Sequence, residues 1–169
     1  MDFSEFIPAA CSLIGVFAGT WFSGHLSQKQ EYIKKRHEVY AAASLDIERL
    51  RFHRELIFSA EYEGVLDAHY ALIKLYATKE SEENFRKLGS FVHSYLAEYT
   101  EFFEENNPRV KAAFYDDGDP TYEADELTEM FKLKLKQYRT EKIPSIDEIN
   151  MYTKAIQESM RKDLGSGNR

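Results

Sequence analysis

Five histidines, a cluster of aspartates and one arginine–histidine pair are the side chains of this sequence best suited to chemistry, and their spacing restricts what they can do. His25, His37, His53, His69 and His93 include no H-x-x-x-H pair, the helical spacing that presents two imidazoles to one zinc ion, so no metal site is expected. Asp116-Asp117-Gly118-Asp119 gathers carboxylates that would suit Ca²⁺. It lacks the alternating D-x-D-x-D-G pattern and the later bidentate Glu, and reads as a solvated turn. Arg86 and His93 bound the run R-K-L-G-S-F-V-H and, seven positions apart, share one helical face. By burial statistics alone they are a surface Arg and a packed or rim His. There is no P-loop, G-x-G-x-x-G, nucleophile elbow or paired catalytic Cys and His. The sequence therefore assigns no catalytic residue and no cofactor, and the chain is not expected to be an enzyme.

The Arg86–His93 spacing resembles the R-x(4–6)-H signature of HEPN-type ribonucleases. Those are helical bundles that dimerise to bring two such motifs together, with the Arg and His polarising and protonating at the scissile phosphate. The resemblance covers one helix. Lys87 follows the Arg where the family more usually has Asn, Asp or His. It implies a ribonuclease as an alternative function, one that the acidic surroundings of the motif oppose because they repel RNA.

The elements that carry these residues read as helices throughout. From Gln28 to Phe58 there is no Pro or Gly. Ile33, Arg36, Tyr40, Ala43, Ile47, Leu50, Arg54 and Ile57 follow alternating three- and four-residue steps, a heptad-like seam interrupted by two arginines. This stalk would pack against parallel copies of itself or against its own bundle. A second helix is expected over Tyr62–Thr78, with Leu66, Tyr70, Ile73 and Ala77 inward. A third, N-capped by Ser81, carries Phe85, Leu88, Val92, Tyr95, Tyr99 and Phe102 and ends at Asn106-Asn107. Pro108 opens a short turn through Tyr115. Asp119-Pro120 starts a fourth helix to Thr140, with Leu127, Phe131, Leu135 and Tyr138 inward. Ser145-Ile-Asp-Glu148 matches a capping box, and the helix after it bears Ile149, Ile156, Met160 and Leu164. Short connections between amphipathic helices favour antiparallel neighbours, so the expected fold is all-α, with a bundle of four to five helices.

The N-terminal part is different. Phe6 to Leu26, FIPAACSLIGVFAGTWFSGHL, contains no Asp, Glu, Lys or Arg over 21 residues. At about 1.5 Å per residue that length crosses a hydrocarbon core of about 30 Å. The acidic residues before it and Ser-Gly-His after it do not fit a cleavable signal peptide. Lys29, Lys34, Lys35 and Arg36 follow the run and no Lys or Arg precedes it, so the N-terminus is expected outside and the rest in the cytoplasm. Cys11, Gly15, Gly19 and Ser23 recur every four residues, with Ser12 beside them, while Phe6, Leu13, Ile14, Phe17 and Trp21 gather opposite. In lipid, small residues mark where helices approach closely, so this face is expected to pack on copies of itself or to line a narrow pathway.

The expected organisation is residues 1–26 as N-terminal segment and transmembrane helix, 27–58 as basic stalk, 59–164 as bundle and 165–169 as disordered tail. Residues 27–54 hold 7 Lys/Arg against 4 Asp/Glu, residues 55–131 hold 6 against 18, and residues 132–169 hold 9 against 5. An acidic body argues against nucleic acid as main partner, and a basic collar suits an anionic inner leaflet. The 11 Tyr and 12 Phe suit a core rich in rings. In architecture, through no particular motif, the chain is similar to the small single-pass membrane effectors of bacterial phage-defence systems. Those couple a cytoplasmic sensing domain to oligomeric transmembrane helices that permeabilise the membrane or conduct ions. The resemblance implies an oligomeric inner-membrane channel or pore, gated by its cytoplasmic domain, with lipid and further copies of the chain as partners. His25, Lys29, Lys34, Lys35 and Arg36 would then lie at the headgroups or the cytoplasmic mouth, facing anions or an anionic signalling ligand. A membrane-anchored scaffold that engages a cytoplasmic protein is the alternative from another class.

Overall fold

The computed structural model describes the backbone of residues 3–107 and 123–166, and the side chains of residues 23–107 and 127–165. Helix α1, Phe3–Phe52, is a single run of 50 residues, about 75 Å at the usual rise. It crosses the boundary between the charge-free stretch and the charged remainder without a break. Residues 23–32 of α1 are exposed, whereas Val39, Tyr40, Ala43, Ile47 and Leu50 are buried. The chain then reverses through a 3-10 turn, Arg54–Phe58, which tucks Ile57 and Phe58 under the bundle. The reversal buries both of these apolar side chains, and the expected helix to Phe58 stops six residues short.

Ser59 caps α2, Ala60–Tyr76, by accepting from the Tyr62 backbone N–H at 3.3 Å. Helix α3, Lys79–Asn106, follows after two residues and is capped by Thr78 rather than by the expected Ser81. Beyond the undescribed 108–122, which include the Pro108 turn and the Asp116–Asp119 loop, α4 spans Glu123–Lys142. Helix α5 spans Ile146–Ser166, so Gly165 and Ser166 of the expected tail are helical and 167–169 lie outside the described residues. The capping box holds: the Glu148 backbone N–H donates to Ser145 Oγ at 3.2 Å, and the Glu148 carboxylate accepts from the Ser145 backbone N–H at 2.9 Å.

Helices α1, α2, α3 and α5 form the bundle, α1 and α3 each lying beside both α2 and α5. The core is the inward stripe of each: Ile47 and Leu50, Leu66 and Ile73, Phe85, Leu88 and Val92, Ile149, Ile156 and Met160. In this placement the stalk seam serves the chain's own bundle. Tyr40, Ala43, Ile47 and Leu50 are buried against the chain's own helices, and of the apolar seam residues only Ile33 is partly open. The two arginines that interrupt it reach carbonyls at opposite ends of α5. Arg36 donates to the Asp163 carbonyl at 3.3 Å and Arg54 to the Pro144 carbonyl at 3.0 Å.

Helix α4 is held differently. It lies on the C-terminal half of α3 through rings: Phe103 on Phe131 at 5.2 Å between centroids, Phe102 stacked on Tyr138 at 4.2 Å, and Phe58 of the turn 6.2 Å from Tyr138. Leu127, expected inward, is 48 % exposed, one turn before the Phe103–Phe131 ring contact.

Candidate functional site

The site with most polar convergence lies where α1 enters the bundle. Asp163 falls on the apolar stripe of α5, seven residues after Ile156, and is buried. Its carboxylate accepts from the Thr78 hydroxyl at 2.7 Å, the Thr78 backbone N–H at 3.1 Å, the Ser81 hydroxyl at 2.9 Å and the Tyr40 phenol. Thr78 and Ser81 are the cap and first turn of α3, so the charge sits against the positive end of that helix. Thr78 is the cap because its hydroxyl serves two partners, accepting from the Ser81 N–H at 3.4 Å while donating to Asp163. Burial alone would push the Asp163 carboxyl up, but the hydrogen bonds from Tyr40, Thr78 and Ser81 outweigh it and hold the group below its ordinary value. Burial first, and then the hydrogen bond to Asp163, push the Tyr40 phenol up, so it stays a donor.

The same junction anchors the stalk on its outer side. The Tyr32 hydroxyl donates to the Tyr76 carbonyl at 3.1 Å, and its ring lies 5.4 Å from that of Tyr76. Arg36 spreads over the Tyr32 ring at 5.1 Å while reaching the last turn of α5. Sequence placed Arg36 in a basic collar; the structure uses it as a C-terminal helix partner inside the junction. Of the other collar residues, Lys35 pairs with Glu38 at 2.9 Å, and His25, Lys29 and Lys34 are exposed. The small-residue ladder at Cys11, Ser12, Gly15 and Gly19 has only its helical backbone within the described residues, and Ser23 is exposed.

Arg86 and His93 do come together, lining one groove of about 290 Å³ between α2 and α3. Glu63 and Asp67 line it too, and His93 Nδ1 lies 2.6 Å from Glu63 Oε1. Two carboxylates beside one guanidinium leave no positive surface for a phosphodiester. His93 is 72 % exposed, so His93→Ala is expected to move the melting temperature by no more than about 2 °C. A larger drop would mean that the pair with Glu63 holds α2 to α3. Among the described residues, no three His, Cys, Asp or Glu side chains are grouped to hold a metal ion.

No family model, curated protein or solved structure matches this chain. Sequence reading missed the Asp163 hub, although the signal was present: an aspartate in register with Ile149, Ile156 and Met160 must either face a partner or cost several kcal/mol. It also missed the partner of His93, since Glu63 lies on another helix.

Among the described residues no helix is long and apolar enough to cross a membrane. Most of the charge-free run, residues 6–22, contributes only its backbone to that description.

Proposed function

We propose that this chain is a single-pass membrane protein that self-assembles through residues 6–26 and forms a pore or channel governed by its helical bundle. The observation that supports the reading is the continuity of α1. One 50-residue helix carries the charge-free stretch at one end and supplies core residues Tyr40, Ala43, Ile47 and Leu50 at the other. A helix shared between two structures transmits rotation and tilt, whereas a jointed linker would not. The Asp163 junction fixes its direction where it leaves the bundle. Assembly is assigned to the small face of Cys11, Ser12, Gly15, Gly19 and Ser23, because the stalk seam is already occupied.

The test is to purify the full chain in nonionic detergent, measure its mass, and follow ion flux after reconstitution in liposomes. The native chain is expected to be oligomeric and to carry flux. Gly15→Leu with Gly19→Leu is expected to reduce the particle toward monomer and cut flux at least tenfold, by preventing close backbone approach. A native monomer without flux overturns the reading. An oligomer without flux, whose span can be exchanged for an unrelated membrane helix at no functional cost, makes it a scaffold instead.

A further inference from the structure

A basic surface lies at the end of the bundle where the chain reverses after α1. A groove of about 630 Å³ runs between the 3-10 turn and α4, lined by Arg54, Lys132, Lys136 and Arg139, with Leu135 and Ile143 as apolar floor. One carboxylate, Glu55, shares it. We infer that this groove binds a small soluble phosphorylated anion, which would clamp α4 to the rest of the bundle.

Three observations carry the inference. First, the cations come from two elements that are otherwise joined by ring packing: Arg54 on the turn, and Lys132, Lys136 and Arg139 on one face of α4 at steps of four and three. Helix α4 touches its neighbours through long aromatic side chains and not by close helix–helix approach. An anion held by both sides adds the missing cross-link. Second, the two guanidinium groups are already positioned. Arg54 uses Nη1 on the Pro144 carbonyl at 3.0 Å, and Arg139 uses Nη2 on the Tyr99 hydroxyl while lying 4.9 Å over the Tyr99 ring. Each keeps further N–H donors in its planar fork, the geometry that suits phosphate oxygens. Lys132 is paired with Glu129 at 2.6 Å, an exposed contact that a phosphate would replace at little cost. Third, the charge is unusual for its setting: the whole chain carries −7, yet four cations line this groove with one carboxylate, Glu55, and Glu129 beside it on Lys132. The volume is that of a site for a small molecule and too open for an apolar one.

Location separates a soluble anion from a lipid headgroup. Arg54 follows Leu26 by 28 residues, nearly all of them helical, which places the groove about 40 Å beyond the charge-free run. That exceeds several Debye lengths, so the groove cannot feel the leaflet that the Lys34–Lys35 collar would meet. This last step rests on the membrane reading; the anion site itself does not.

The experiment uses the full chain in nonionic detergent and measures melting with pyrophosphate, ATP and inorganic phosphate at millimolar concentration, against sodium chloride of equal ionic strength. Mixed micelles doped with phosphatidylglycerol form a further arm. Pyrophosphate and ATP are expected to raise the melting temperature by several degrees, and Lys132→Glu with Lys136→Glu to weaken their apparent affinity at least tenfold. Lys34→Glu with Lys35→Glu is expected to leave it unchanged. Both lysine pairs are exposed, and the milder Lys136→Gln, with circular dichroism, separates lost binding from lost folding. No shift with any phosphate overturns the inference, as does an equal loss in both double variants. A response to phosphatidylglycerol alone that depends on Lys132 and Lys136 overturns the soluble source. Because none of these readings uses flux or mass, anion binding can fail while the membrane reading stands, and the reverse.

Discussion

Asp163→Ala is expected to destabilise the bundle by about 3 kcal/mol, lowering its melting temperature by about 10 °C. The substitution removes one carboxylate and leaves the donors of Tyr40, Thr78 and Ser81 facing a void in a buried site. The hydroxyls can rotate toward weaker partners, but the Thr78 backbone N–H cannot. Tyr40→Phe deletes one donor and keeps the acceptor, so it is expected to cost about 1 kcal/mol. Asp163→Asn should fall between them, because its amide oxygen preserves one acceptor position while its NH₂ opposes the donor on the other. Thermal melts of the three variants give the order, and an alanine variant as stable as the native chain would show that the network is not closed in solution.

The acid limb of stability supplies an independent check on the same carboxylate. Its folded value lies below the ordinary 3.8, so the unfolded chain binds the proton more tightly. The contribution of Asp163 is therefore complete above the unfolded value and is lost as pH falls through the folded one. Asp46 is shifted the same way: burial pushes it up, and His69 at 2.7 Å with Arg49 at 3.1 Å more than reverses this. Asp163→Asn should flatten the part of the acid limb that Asp163 supplies and leave the part from Asp46.

What was legible in the sequence follows from periodicity. Leu66 and Ile73, Phe85, Leu88 and Val92, and Ile149 and Ile156 recur at helical steps because one face of each helix must meet a core, and all of them are buried. Boundaries set by capping chemistry were legible where one side chain decides them, as at Ser145 and Glu148. They were misplaced at Ser81, since Thr78 wins only through its bond to Asp163, a residue 85 positions away. The basic groove was illegible for the same reason: Arg54 joins Lys132 and Lys136 by chain reversal, and no local window contains both.

A proline at Gln28 is expected to change the direction of the stalk without touching the bundle. Residues 23–31 of α1 are exposed, and the first anchor to the bundle is Tyr32, on Tyr76. Proline at position 28 removes one helical hydrogen bond and clashes with the carbonyl four residues earlier, a cost of about 3 kcal/mol that is confined to this turn. The core from Val39 onward keeps every partner, so the melting temperature should hold within about 2 °C. The geometry should not. In a Cys11→Ser background, spin labels at Ser23→Cys and Ser94→Cys, diluted with unlabelled chain, should give one narrow distance distribution for the native helix. With Gln28→Pro the distribution should broaden or shift. If both distributions are equally broad, α1 is already jointed between Ser23 and Tyr32, and a rigid lever from the bundle to the charge-free stretch is not available to the protein. If the proline variant is narrow and displaced and flux is retained, transmission requires contact but not direction. If the chain is the channel proposed above, loss of flux together with unchanged melting is the expected pair of results, because only a continuous helix carries a movement of the bundle into the charge-free stretch.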